Sequence, residues 1–572
     1  MKKIISILSA VVLAASCSFL DKEPMVITTD NYYTSEKEAL YGLAGVYGIL
    51  NSATIYGKNY SLDICAVDDL CWYQQSSANG NETNIYMHDA GTNVIYNVWT
   101  KFYAGIKNAN AFMESIVNTD FDPDGVMFAE ARFLRAYYHF LVAQAWGDVP
   151  IRTYATSNYA ETQRGAYPQY SVLAWASNEM EECLDNLSES LDNAPSRVCR
   201  TTAEGILARV YLFMAGSSVN GGVKKEFYRM AMVHADNVIK SGLHRLNPSY
   251  EDVFINMIAD KYDTQYRESM WEADFKGGPD DPSNWSNGQI GNYIGLRGMS
   301  SKTNYSDWKS NYSYGYYNGS IKLWDLYWKE DRTDEETEYE GIPTDVRQNW
   351  NLPPYNYTGV SASYAFEYGK PDDTHPLLNN EHKNPYFTNS TNNTYVDPLY
   401  YAGNRNAGKW RREVEYEGRF STLHQSTHIN FPILRYSDVL LMYAEAANEY
   451  YGAPTQECYD YVKEIRDRAG IETRDFSEYS THSDFRNLVR NERGRELCFE
   501  GTRKFDLIRW GIFETAMKET YSAYYSDTRC NSFNTSVYAR RYVTLITPKH
   551  IYLPIPSIEL GVNPLLKQNK LW

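Results

Sequence analysis

The carboxylates are the first residues in this chain whose type could do chemistry. Asp68 and Asp69 stand side by side in a sequence of 572 residues that carries 72 Asp and Glu. A glycosidase needs two carboxylates at a set separation across a cleft, one of them with a raised pKa. Adjacency in sequence supplies neither condition, and abundant carboxylates in an acidic chain are mostly solvated surface. Asp280, Asp281 and Asn284 offer hard oxygens that suit calcium, but they lack the full spacing of a known calcium loop. Glu492, Arg493, Arg495 and Glu496 mix both signs within one helical stretch. Structural ion pairs between helices explain that better than catalysis does. No Ser/His/Asp order, phosphate-binding loop or H-E-x-x-H occurs. Cys65, Cys71, Cys183, Cys199, Cys458, Cys498 and Cys530 are dispersed, with no C-x-x-C and no zinc spacing. Cys65 and Cys71 suit either a bridge or two small buried thiols. The expectation is a non-enzyme without a metal centre, with calcium left open.

Binding chemistry is better represented. The chain has 51 tyrosines, and tyrosine combines a stacking face with a hydroxyl. Sugars present flat C–H faces ringed by hydroxyls, so a site for them needs aromatic planes and polar rims. Two stretches outside helical stripes supply that mixture. One is Asp68–Gln74, with Trp72 and Tyr73. The other runs from Trp285 to Tyr317, with Trp285, Tyr293, Trp308, Tyr312, Tyr314, Tyr316 and Tyr317 among Asn, Ser and Gly. Trp99 and Trp510 fall in helix-associated segments and are expected in the core. The plain alternative is that the loop rings only pack their own subdomain.

These loops need a frame. Pro432–Tyr451 reads as one amphipathic helix, with Leu440, Tyr443, Ala444, Ala447 and Tyr451 on a stripe, Ser437 or Asp438 as cap, and Gly452 and Pro454 as stop. Thr455–Ala469 repeats the pattern, so the two form a helical hairpin, one unit of a helix-pair array. Further helices are expected at 35–50, 96–117, 126–146, 169–187, 202–216, 224–241 and 483–500. Between about residues 245 and 430 helical period fails, apart from 321–329 and a β-like run at 269–275. A stretch so long without regular structure points to function, here a loop subdomain mounted on the helices. The tail 551–572 is expected to lie extended on the surface.

The N-terminus carries an address. Lys2 and Lys3 precede an apolar run from Ile4 to Ala15, too short to span a bilayer permanently. Leu13-Ala14-Ala15-Ser16-Cys17 resembles a lipobox, with residues 1–16 as the signal peptide, Cys17 as the lipidation site and 17–34 as an acidic tether. Cleavage elsewhere, with Cys17 an ordinary thiol, is the alternative. The net charge of −17 and the absence of a basic stripe argue against nucleic acid as main partner.

Five motifs in order resemble the SusD/RagB-like lipoproteins, nutrient and glycan uptake proteins of the Gram-negative outer membrane. They are Cys17 with Phe19-Leu20-Asp21 and Pro24; Ala131–Tyr138 with Trp146-Gly147-Asp148-Val149-Pro150; Leu434–Ala446; Asn491–Leu497 leading to Phe505-Asp506-Leu507 and Arg509-Trp510-Gly511; and Leu553-Pro554-Ile555-Pro556 with Asn563-Pro564 and Gln568-Asn569. Residues of about 50–95 and 245–430 match no fixed pattern of that family.

The resemblance implies a mostly α fold of about four tetratricopeptide-like helix pairs, with residues 35–572 as a single domain. Its scaffold would lie mainly at 35–50, 96–241 and 432–511. The insert at about 245–430 would form the ligand face. It implies a surface lipoprotein that captures glycan or oligosaccharide and passes it to a TonB-dependent SusC-like barrel, without doing chemistry itself. A lipoprotein glycosidase, and a structural lid with little glycan affinity, are the alternatives.

Overall fold

The computed structural model describes residues 33–155, 162–219, 221–275, 288–297, 313–328, 345–353, 355–357, 383–385, 402–412, 426–479, 481–531 and 535–572. Helices dominate: α1 (Glu36–Tyr47), α2 (Asn93–Ile116), α3 (Val126–Trp146), α4 (Gln169–Glu181), α5 (Arg200–Ala215), α6 (Lys224–Ser241), α7 (Tyr250–Ile258), α8 (Ile321–Trp328), α9 (Val346–Asn351), α10 (Tyr436–Tyr451), α11 (Gln456–Arg468), α12 (His482–Leu497), α13 (Arg503–Arg509), α14 (Phe513–Ser526), α15 (Thr528–Asn531), α16 (Ser536–Leu545) and α17 (Ser557–Val562). Helix packs on helix in sequence order: α2 on α3, α3 on α4, α5 on α6, α6 on α10, and α10 on both α11 and α12. This is the expected array of tetratricopeptide-like pairs.

Local chemistry sets the ends of these helices. Ser35, Thr455 and Thr481 cap α1, α11 and α12, each hydroxyl accepting the N–H three residues on. Gly147, after α3, has φ +79°, a region an L side chain rarely enters. Ala444, Ala446 and Ala447 are fully buried and let neighbours approach α10 closely.

The expected start of α10 needs correction. Residues Phe431–Arg435 form strand β7, antiparallel to β2 (Ser269–Ala273), and the helix begins only at Tyr436. All five strand residues are buried, so the run shows no alternation by which to tell it from a helix. A Cβ on Gly205 of α5 would lie 2.5 Å from Leu434, which shows how closely α5 packs on β7. Arg435, not Ser437 or Asp438, is the N-cap residue.

A second sheet joins distant parts of the chain. β1 (Cys71–Tyr73) pairs antiparallel with β3 (Tyr317–Gly319), which pairs with β6 (Arg405–Asn406). The early loop and the insert are thus one hydrogen-bonded unit. β4 (Tyr355–Tyr357) and β5 (Lys383–Pro385) form a third pair.

The C-terminal tail is anchored more firmly than expected. Leu553 N–H donates to Ala145 O at 2.8 Å, Trp146 Nε1 to Pro554 O at 3.0 Å, and Asn569 Nδ2 to Trp146 O at 2.7 Å. The seven described cysteines are all buried free thiols. Among the described residues no helix is long and apolar enough to cross a membrane.

Candidate functional site: a tyrosine face on a helical scaffold

The signature charges lie in the interior. The guanidinium of Arg435 donates to Glu268 (2.8 Å), Glu496 (3.0 Å) and both oxygens of Glu500 (2.9 and 2.8 Å). Glu496 also pairs with Arg347 and Arg468, and Glu492 with Arg347, Arg466 and Arg495. A second cluster joins Asp438 to Arg209 and Arg493, and Asp506 to Arg493 and Arg509. Burial alone would raise the Asp438 carboxyl, but Arg493 and Arg209 hold it down to about 2. Glu445 behaves likewise, held at about 2 by Arg509. Such satisfied interior pairs fix geometry. The second cluster lines a cavity of only about 60 Å³, through Arg209, Arg493 and Asp506.

The Asp68-Asp69 pair is equally enclosed. Asp69 accepts from Arg503 Nε and Nη2, at 2.8 and 3.0 Å, and from Lys322 at 2.6 Å, and these cations hold it well below the usual carboxylate range. Burial and neighbouring Asp69 push Asp68 upward, and its Oδ1 accepts Leu70 N–H at 2.7 Å. Neither carboxylate faces the other across a cleft. Asp280, Asp281 and Asn284 lie outside the described residues. Among the described residues no cluster of three or more His, Cys, Asp or Glu could hold a metal ion.

The aromatic candidates separate into core and surface. Trp72 is 0% exposed, and its indole N–H donates to Gly403 O at 3.1 Å. Its ring meets Tyr524 edge-on, so it offers no face to a ligand, and the expected role for Trp72 is corrected to core packing. Tyr73 is also buried. It buttresses Tyr316 and Tyr317 edge-on and sends its hydroxyl to Asn81 Oδ1 at 2.6 Å. Trp285, Trp308 and Tyr312 lie outside the described residues.

Tyr293 and Tyr314, with Tyr316, form a partly exposed face. Tyr314 N–H donates to Asn292 O and Tyr316 N–H to Tyr293 O, at 2.7 and 2.8 Å. The left-handed turn at Gly315, between Tyr314 and Tyr316, sets how the two rings are directed. Tyr314 and Tyr316 stack, centroids 4.8 Å apart and planes 13° apart, while Tyr317 points inward to Asn84. Tyr293 closes the group at 5.5 Å from Tyr314 and 5.8 Å from Tyr316. Gly315 makes the arrangement possible. Its φ is +53°, and a Cβ there would sit 2.8 Å from Arg297 N. Burial pushes the Tyr293 phenol up to about 12, so it stays a neutral donor at ordinary pH.

The polar rim comes from the early loop. Residues Ala53–Gly57 and Asn59–Ile64 are two short π-helical pieces meeting at Lys58. This rare geometry recurs at functional sites. Lys58 Nζ lies 4.6 Å from the centre of the Tyr293 ring and 2.7 Å from Asp63 Oδ2. Asn59 Nδ2 reaches the same oxygen at 2.7 Å, and Asn84 Nδ2 reaches Oδ1 at 3.2 Å. Gln74 N–H donates to Tyr316 O at 2.9 Å, tying β1 to the face. The result is an aromatic platform with amide, ammonium and phenol groups at its edge, the chemistry a sugar ring requires.

Comparison with known proteins is consistent along the whole chain. The SusD family description matches residues 259–572, and a second, "Starch-binding associating with outer membrane", matches 18–212. The chain belongs to the SusD family. A "SusD-like protein P25" of Formosa agariphila is 23% identical, the alignment covering 99% of this chain and 98% of that one. The crystal structure of a SusD homolog from Bacteroides thetaiotaomicron superposes with a TM-score of 0.78 at 22% identity, covering 96% of this chain and 100% of that one. A structure titled "Laminarin binding SusD-like protein" gives 0.63 at 18% identity, covering 94% and 100%. These likenesses establish the SusD fold, with its helix pairs, and the family's association with the outer membrane.

Two other concavities of this SusD-family chain are weaker candidates. A cavity of about 60 Å³, lined by residues such as Tyr56, Gln144, Arg209 and Thr502, lies between β7, α3, α5 and α13. It is too small for a sugar ring. A groove of about 390 Å³ runs between α2 and the tail, with Tyr103, Lys107, Arg152 and Glu559 on its walls. Its Trp99 is 2% exposed, as expected for a core ring. Trp510 is half-buried, its indole N–H held by Glu445 Oε1 at 2.7 Å. Sequence reasoning missed Lys58, Asn59, Asp63 and Asn81 at the rim. The only trace was the polar composition of the early loop, because a π-helix lacks the 3.6-residue period.

Proposed function

We propose that this protein is a cell-surface lipoprotein of the outer membrane that captures a glycan on the Tyr293–Tyr314–Tyr316 face and delivers it, unmodified, to a SusC-like TonB-dependent barrel. The observation that carries the reading is the stacked tyrosine face with its Lys58, Asn59 and Asn81 rim, set on a SusD-family scaffold. The laminarin-binding neighbour supports a saccharide as ligand. The enclosure of Asp68 and the buried, paired state of Asp69, Glu492 and Glu496 support binding without catalysis.

The test is retention on affinity gels cast with a panel of polysaccharides. Wild type should be retarded by at least one. Tyr293→Ala with Tyr314→Ala should abolish that retardation while the melting temperature stays near wild type. Base-stacking losses of about 1–3 kcal/mol per ring are a guide to the size of the effect. Retention unchanged by the double variant would move the site elsewhere. Anchoring is tested separately. Several acyl chains hold a protein stably where one does not, so Cys17→Ala should release the protein from membranes in cells lacking the barrel.

A further inference from the structure

The charges around the tyrosine face differ in sign from the chain as a whole. The protein carries −17, so an arbitrary stretch of its surface is acidic. Among the described residues, the charged groups nearest the three rings and turned outward are cations. Lys58 sits over Tyr293 at 4.6 Å. Arg297 is exposed, and close enough to Tyr316 to favour its phenolate electrostatically. Arg541 stands at the far edge, donating to Gln75 O at 2.9 Å and to Tyr73 O.

The carboxylates here are placed otherwise. Asp63 is 4% exposed and lies behind Lys58, with both oxygens occupied by Lys58, Asn59 and Asn84. Glu82, at the rim, accepts Gly80 N–H at 3.0 Å. Asp63 holds one proton of the Lys58 ammonium and leaves two for a ligand. The three rings are therefore flanked by a cation at each end, Lys58 beside Tyr293 and Arg297 beside Tyr316.

We infer that the ligand of this face is an anionic saccharide, one whose rings carry carboxylate or sulfate groups. Its ring faces lie on the tyrosines and its charges meet Lys58 and Arg297. The inference rests on the glycan-binding reading and names its ligand class. A fixed cation pairs with carboxylate or sulfate through charge-assisted hydrogen bonds, about twice as strong as neutral ones. A neutral glycan would leave both cations without that gain.

The experiment is calorimetry on the full-length mature protein with three oligosaccharide probes: oligogalacturonate, a sulfated galactan oligomer and a neutral laminarin oligomer. At least one anionic probe is expected to bind, and to bind more tightly than laminarin; which one does so tells uronate from sulfate ester. Arg297→Gln, at an exposed position, should weaken that binding about tenfold, and raising the salt should weaken it several-fold further. Failure of both anionic probes to bind overturns the inference. So does laminarin binding that is lost in Tyr293→Ala/Tyr314→Ala but unmoved by Arg297→Gln and by salt, while the reading of the face as a glycan site then stands. Binding of any probe that survives the tyrosine double variant overturns the site itself.

Discussion

The interior around α10 and α12 and the tyrosine face are both rich in polar groups, but the two regions spend them in opposite ways. In the interior the charged side chains are matched to opposite charges, Arg435 most completely. All five N–H groups of Arg435 reach Glu268, Glu496, Glu500 or the Glu496 carbonyl. At the face, the Lys58 ammonium and the exposed Arg297 keep hydrogen-bonding capacity turned outward. Saturation makes a polar cluster a structural joint, and spare capacity beside an aromatic plane makes it a receptor. The same residue types serve both, so the count of partners, not the type, tells them apart.

The comparison is broken most sharply from the interior side. Arg435→Ala leaves Glu268, Glu496 and Glu500 short of their shared cation in a dry site. Removing one partner of a buried pair costs about 3–5 kcal/mol. Chemical denaturation should show a loss of that size, and a loss under 1 kcal/mol would mean that the network is solvated.

A smaller effect comes from acid. His88 and His550 lie 5.3 Å apart, each against the ring of the C-terminal Trp572. Among the described residues neither ring nitrogen of His88 has a partner in bonding geometry, nor does His550 Nε2. Burial lowers both, with Lys504 and Lys549 adding repulsion, His550 to about 4. The folded form thus binds protons less readily than the unfolded chain, whose histidines titrate near 6.5. This penalty is absent well above pH 6.5 and grows as pH falls; for His550 it levels off below about 4, at on the order of 3 kcal/mol. The paired carboxylates Asp438 and Glu445 lose their stabilisation as pH falls from the ordinary carboxylate range to about 2. His88→Phe, which keeps a buried ring and takes up no proton, should therefore flatten the stability profile between pH 6.5 and 4. An unchanged profile would show that water reaches these rings.

Much of the scaffold was legible in the sequence because its signals are local. Val126–Trp146 and Lys224–Ser241 were bounded correctly, since Gly147 and Gly242 mark their ends. Phe431–Arg435 was misread because burial on both faces erases periodicity. The charges of Glu492 and Glu496 pointed to ion pairs, but their partners Arg347 and Arg435, and the neighbouring Glu268 and Lys409, come from separate stretches. Only the fold brings those together. Part of the presumed variable insert is thereby pinned to the helices. Tyr293, Tyr314 and Tyr316 stood among the candidates the two loops offered, but the sequence did not separate them from core rings such as Trp72. Trp72 and Tyr314 sit in equally polar stretches, yet one is a core ring and the other a surface ring.

The finest test of the comparison is Tyr314→Ala alone, where the expected stability change is the smallest. Tyr314 stacks on Tyr316 and leans on Tyr293, but it is only half-buried. Its backbone N–H to Asn292 O, which an alanine keeps, holds the loop in place. Aromatic pairs contribute about 0.5–1.5 kcal/mol beyond their buried area, and Tyr293 and Tyr316 still touch each other in the variant. The melting temperature should therefore fall by no more than a few degrees, because a large domain shifts little per kcal/mol. Affinity for the cognate glycan should drop by far more, since a sugar face loses half of its stacked platform. A variant that unfolds markedly while binding as well as wild type would reverse the assignment and make the tyrosine face a core of its own.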